Sequence, residues 1–85
     1  MGIFNQVVAD EALASATREL ARHIASGPPI ALGYMKENIN RAVVADLRSC
    51  LALEADRMTR CAATSDHKEA VKAFLEKRQP TFSGR

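Results

Sequence analysis

The chain has 85 residues, with 47% hydrophobic and 26% charged side chains and a formal net charge of +2. That length holds one domain at most, and the apolar content is too high for a disordered segment. A charge near neutrality, with no basic patch interleaved with aromatics, argues against a nucleic-acid partner.

Gly2 to Val8 is a short apolar run containing Ile3, Phe4, Val7 and Val8. It reads as a strand or an extended lead-in, and no second strand-like segment is available to pair with it. Asp10 opens a first helix, where Leu13, Ala16, Leu20 and Ile24 recur every three or four residues. Gly27-Pro28-Pro29 ends that helix and starts a second, expected from about Pro29 to Asn40, since Pro is well placed in a first helical turn. Ile30, Ala31, Met35 and Ile39 form its apolar side. A break follows around Arg41 to Ala45, and Asp46 is the N-cap candidate of a third helix. Leu47, Cys50, Leu51, Glu54, Met58 and Cys61 are expected on the inward side of that helix, with Leu53 at an edge and Arg57 outward.

The final helix is punctuated on both sides. Ser65 and Asp66 are N-cap candidates, and Asp66 with Glu69 has capping-box spacing. Lys77 and Arg78 are placed in its last turn, where cations complement the helix dipole, and Pro80 stops it. Residues 68–85 carry five cations (Lys68, Lys72, Lys77, Arg78, Arg85) against Glu69 and Glu76, a local charge of +3. Such an end favours a phosphate-bearing ligand or is simply a solvated helix terminus.

Four helices joined by short turns define the expected fold: all-α, a small orthogonal helical domain with a short extended N-terminal lead-in. The stripes are narrow and alanine-rich, so a helical layer packed against something else is expected rather than an independent core. Cys50 and Cys61 lie eleven residues apart on one helix, roughly 16 Å along its axis, too far for a disulfide. They read as small buried hydrophobes in a reducing compartment. No run is long enough to span a membrane, and Met1-Gly2-Ile3-Phe4 shows no leader pattern, so a cytoplasmic setting is expected. His23 and His67 lack partners at metal-ligand spacing, so no metal is expected.

The closing segment Ser65-Asp66-His67-Lys68-Glu69-Ala70-Val71-Lys72-Ala73-Phe74-Leu75-Glu76-Lys77-Arg78-Gln79-Pro80-Thr81-Phe82-Ser83-Gly84 resembles the C-terminus of the crotonase superfamily, the enoyl-CoA hydratase/isomerase enzymes. Phe74-Leu75-Glu76-Lys77-Arg78 carries most of the match. Ala70 departs from the usual Gly, and one spacer is missing before Asp66. Gly2-Ile3-Phe4-Asn5-Gln6-Val7-Val8, Asp10-Glu11-Ala12-Leu13, Leu20 to Ala25 with Pro28-Pro29, Ala31-Leu32, Lys36, Asn40, Leu51 and Glu54 fall in the family's order.

The resemblance implies that residues 1–85 are the helical C-terminal domain of a crotonase-type enzyme acting on acyl-CoA thioesters. In that family the region covers the acyl-CoA pocket and builds the interface of a homo-oligomer, a trimer or hexamer. It implies a cofactor-binding role for Phe74 and Lys77 toward the coenzyme A moiety of the substrate, the ring offering a flat contact and the ammonium neutralising phosphate. No catalytic residue is expected, because the family's oxyanion amides and acid–base glutamates belong to a spiral domain with no counterpart here. Glu11, Glu19, Glu37, Glu54, Glu69 and Glu76 read as surface or capping carboxylates. No tightly bound cofactor is expected. The alternative is a free-standing helical module that self-associates through the same stripes without enzymatic function. For Phe74 and Lys77 the competing readings are a core ring and a helix-dipole cation.

Overall fold

The computed structural model describes residues 2–85, which are helical apart from their ends and short turns. Residues 2–9 run without regular structure into a 3₁₀ turn at Asp10–Ala12, which leads directly into α1, Leu13–Ala25. Then come α2 (Pro29–Ala42), α3 (Leu47–Ala62) and α4 (Ser65–Leu75), and residues 76–85 form a tail. The lead-in is extended rather than a strand, and the all-helical architecture agrees with the sequence expectation.

Local chemistry sets most helix boundaries. The α1–α2 corner turns at Gly27, whose N–H donates to the Ile24 carbonyl at 3.1 Å. A Cβ on Gly27 would stand 3.2 Å from Leu32 Cδ1 and 3.3 Å from the Ile24 oxygen, so a larger residue at this corner needs its neighbours to give by a few tenths of an ångström. Pro29 occupies the first turn of α2. Asp46 caps α3 by accepting the Ser49 N–H at 3.0 Å and the Ser49 hydroxyl at 2.6 Å. Those two bonds hold its carboxyl below the usual carboxylate range.

The α4 boundaries differ from the sequence expectation. Thr64 is the N-cap, its Oγ1 accepting the His67 N–H at 3.1 Å, while Ser65 and Asp66 are already helical. At the other end the helix closes at Leu75. The Arg78 N–H reaches back to the Ala73 carbonyl (3.0 Å) and the Lys77 N–H to the Phe74 carbonyl (3.2 Å), the paired bonds of a Schellman stop. Lys77 and Arg78 therefore lie beyond the helix, not in its last turn, and the stop is complete before Pro80.

The chain forms a layer with almost no interior. Its radius of gyration is 16.2 Å, against about 12 Å for a compact domain of this length. Its accessible surface is 7366 Å², where about 5,000 Å² is typical of a folded monomer of this mass. The dimensions are 43 × 39 × 18 Å, the thin direction being less than two helix diameters. Among the described residues only Ala73 and Asp66 are buried. α2 packs on α3 and α3 on α4, while α1 mainly meets its own 3₁₀ turn. No helix of the structure is long and apolar enough to cross a membrane, among the described residues.

The α2–α3 seam corrects the expected faces of α3. Leu47, Leu51 and Met58, read as inward, are 56–74% exposed. Arg57, read as outward, is half-buried in the seam. Its guanidinium donates to Glu37 of α2 at 2.6 and 2.8 Å and lies 4.9 Å from the centre of the Tyr34 ring. That fork holds the Glu37 carboxyl below its ordinary range. Cys50 and Cys61 are free and half-buried rather than fully buried.

Candidate functional site

The tail does not trail into solvent. It folds back along α4, and two carboxylates of that helix hold it. Asp66, 2% exposed, accepts the N–H of Ser83 at 2.7 Å and of Gly84 at 2.9 Å, and the Ser83 hydroxyl at 3.3 Å. The Asp66 N–H in turn donates to the Arg85 carbonyl at 3.0 Å. One turn along, Glu69 accepts both terminal nitrogens of Arg78 at 2.6 and 2.9 Å and the Thr81 N–H at 3.1 Å. The Arg78 fork and then the Thr81 amide push the Glu69 carboxyl down to about 2. Gly84 adopts φ +76° against Pro29, a backbone state that disfavours any residue with a Cβ.

This arrangement fixes the turn that carries the two candidate ligand residues. Phe74 is 82% exposed on α4, so its ring packs against little within this chain. Lys77 is exposed and sits at φ 54°, the only non-glycine residue with positive φ among the described residues. The Lys77 amide bonds directly to the Phe74 carbonyl, so ring and cation leave the same turn. Arg78 is neutralised by Glu69 and by Glu76, and Lys72 approaches Glu76 at 4.0 Å. Lys77 has no ion pair among the described residues, which leaves its charge available to a phosphate.

Residue spacing alone did not reveal Asp66 and Glu69 as tail anchors. Their spacing looked like a capping box, and the tail read only as a helix stop. Two acids followed by Thr81-Phe82-Ser83-Gly84, a segment rich in small residues with free amides, was the available signal.

The remaining concavities are shallow. One of about 100 Å³ lies between α2, α3, α4 and the tail, around Ile30, Cys61, His67 and Phe82. Another of about 240 Å³ lies over the α2–α3 seam, lined by Tyr34, Met35, Arg57 and Met58. Asn38 also borders it, with its buried Oδ1 lacking a hydrogen-bond partner. Neither reaches Phe74 or Lys77. Among the described residues no three His, Cys, Asp or Glu side chains converge as a metal site would require.

The large apolar side chains left outside are more than single surface residues. They include Leu20 and Ile24 on α1, Ile39 on α2, Leu51 and Met58 on α3 and Phe74 and Leu75 on α4, each at least half exposed. A helical layer that leaves every element partly uncovered also matches, along its length, a known group of proteins. The family model for enoyl-CoA hydratase/isomerase matches residues 1–85. The chain belongs to the enoyl-CoA hydratase/isomerase family.

Within that family it is 43% identical over 84 residues to the 1,2-epoxyphenylacetyl-CoA isomerase of Escherichia coli, covering 99% of this chain and 32% of that protein. It is 37% identical over 79 residues to the short-chain-enoyl-CoA hydratase of Clostridium acetobutylicum, covering 93% of this chain and 30% of that protein. The crystal structure of an enoyl-CoA hydratase from Polaromonas superposes with a TM-score of 0.91 at 33% identity, over 96% of this chain and 32% of that one. The chain thus spans about a third of the length of the relatives it matches. Isomerase, hydratase and, at 36% identity, a methylmalonyl-CoA decarboxylase of Escherichia coli all share this region. The relatives that share this region thus bear the names of three different reactions.

Proposed function

We propose that residues 1–85 are the C-terminal helical domain of an enzyme acting on acyl-CoA thioesters, a domain that binds the coenzyme A moiety and mediates assembly without performing the chemistry. The observation that carries the CoA reading is the turn at residues 74–77. An exposed ring and an unpaired ammonium leave one rigid turn, with every neighbouring cation at positions 72 and 78 engaged by carboxylates. A flat ring suits a base or pantetheine face, and a compact ammonium suits a phosphate. The assembly reading is supported by the exposed apolar side chains on all four helices and by the expanded dimensions of the layer. Surface of that kind is covered in working proteins by another domain or another copy.

The catalytic reading is confined to the rest of such an enzyme. The carboxylates of this chain that hold defined partners (Glu37, Asp46, Asp56, Asp66, Glu69, Glu76) are engaged with arginines, caps or the tail, and the two amides that meet at one point, those of Ser83 and Gly84, are taken up by Asp66. Equilibrium dialysis of the full chain against coenzyme A at low ionic strength tests the binding. Lys77→Ala is expected to weaken it about fivefold, as for loss of one exposed charge pair. The same preparation is expected to leave crotonyl-CoA unhydrated. Unchanged affinity in Lys77→Ala, or hydration by these 85 residues, would overturn the proposal.

A further inference from the structure

Lys77 is held in a conformation that a side chain with a Cβ disfavours, and such a state persists only where its surroundings over-determine it. On its N-terminal side the Schellman bonds of Lys77 and Arg78 supply part of the hold. On its C-terminal side the hold comes from Arg78. Its terminal nitrogens fork onto Glu69 at 2.6 and 2.9 Å, its Nε donates to Glu76 at 2.6 Å, and one terminal nitrogen also reaches the Gln79 carbonyl at 3.2 Å. Glu69 simultaneously takes the Thr81 N–H at 3.1 Å, so the chain is pinned on both sides of the turn.

The same contacts decide the charge at residue 77. Glu76 is the carboxylate adjacent in sequence to Lys77, and it is committed to Arg78, with Lys72 at 4.0 Å. Glu69 is likewise committed to Arg78. We infer that Arg78, clamped between Glu69 and Glu76, is a positioning residue for Lys77. It locks the left-handed turn and keeps Glu76 from neutralising the ammonium, leaving that cation free for a phosphate of the coenzyme A moiety. The ligand named here rests on the proposed function; the conformational role of Arg78 does not.

The test uses the full chain as wild type, Arg78→Ala, Arg78→Lys, Glu69→Gln, Lys77→Ala and the Arg78→Ala/Lys77→Ala double variant. One readout is the intraresidue HN–Hα NOE of Lys77, strong when φ is positive. The other is the affinity for coenzyme A by calorimetry at low ionic strength. Arg78→Ala and Glu69→Gln are expected to weaken the NOE. Arg78→Ala is expected to weaken binding about fivefold, as much as losing the Lys77 contact itself. Arg78→Lys, which keeps the charge but not the fork, restores neither fully. The double variant binds no worse than Lys77→Ala alone, because Arg78 acts through Lys77.

A Lys77 NOE that is unchanged in both Arg78→Ala and Glu69→Gln would overturn the inference. So would losses in affinity that multiply in the double variant. If the wild type does not bind coenzyme A, or Lys77→Ala binds as tightly as wild type, the coenzyme A reading fails while the NOE still decides the role of Arg78. Where Arg78→Ala loses the protected amides of α4, Glu69→Gln and Arg78→Lys decide in its place.

Discussion

Replacing Asp66 by Ala removes the buried acceptor that ties the tail to α4. Two backbone N–H groups, of Ser83 and Gly84, lose a carboxylate partner at 2.7 and 2.9 Å, and the Ser83 hydroxyl loses a longer contact at 3.3 Å. Charge-assisted bonds contribute about 1.5 kcal/mol or more each, so the two amide bonds amount to about 3 kcal/mol. That figure is already net of bonding to water, and the backbone freedom regained on opening is the same in both proteins, so the expected difference stays at about 3 kcal/mol. Exchange of the Ser83 and Gly84 amides with solvent should therefore accelerate about a hundredfold. The α1 amides should be unaffected, because no bond of the tail anchor involves α1. Hydrogen exchange by NMR on wild type, Asp66→Ala and Asp66→Asn measures this directly, with Asp66→Asn intermediate because one acceptor oxygen remains. Equal Ser83 and Gly84 rates in wild type and Asp66→Ala would refute the reasoning, as would an acceleration spread evenly over all helices.

Lys77→Gly should stabilise the fold by about 0.5–1 kcal/mol in urea denaturation, because glycine carries no penalty at φ 54°, while abolishing the proposed phosphate contact. Thr64→Ala should cost about 1 kcal/mol and Ser65→Ala much less, since Thr64 is the residue that caps α4; thermal unfolding of the pair separates the two positions. Glu69 has an ordinary value of 4.5 and sits at about 2 in the folded chain, so its contribution is complete above the ordinary value and is lost as pH falls through about 2. Urea midpoints between pH 6 and 2 should thus fall more steeply in wild type than in Glu69→Gln.

Helix positions were legible because their signals are local. Pro29 in a first turn and Asp46 with Ser49 as a cap need only their own neighbours, and both stand where the sequence puts them. The start of α4 shifted by a residue or two for a tertiary reason. Ser65 and Asp66 are both good capping residues, but Asp66 is taken by amides seventeen and eighteen positions away, and Thr64 does the capping. The faces of α3 were harder still. Periodicity identifies an apolar stripe but not what covers it. In a layer with almost no interior, Leu47, Leu51 and Met58 stay outside while Arg57 uses its stem and fork to fill the seam against Tyr34 and Glu37. Phe74 and Lys77 were named from their place in a familiar closing pattern. The left-handed turn that joins them could not be read from residue types, because Lys at that position contradicts local propensity.

The central claim is that the turn at Phe74 and Lys77 holds a coenzyme A group that the rest of an acyl-CoA enzyme acts upon. A crystal structure of the whole protein with coenzyme A bound tests it most directly. A phosphate oxygen within about 4 Å of Lys77 Nζ, with Arg78 still forked on Glu69, is the expected result. Coenzyme A bound with its phosphates paired elsewhere and Lys77 facing open solvent would contradict it.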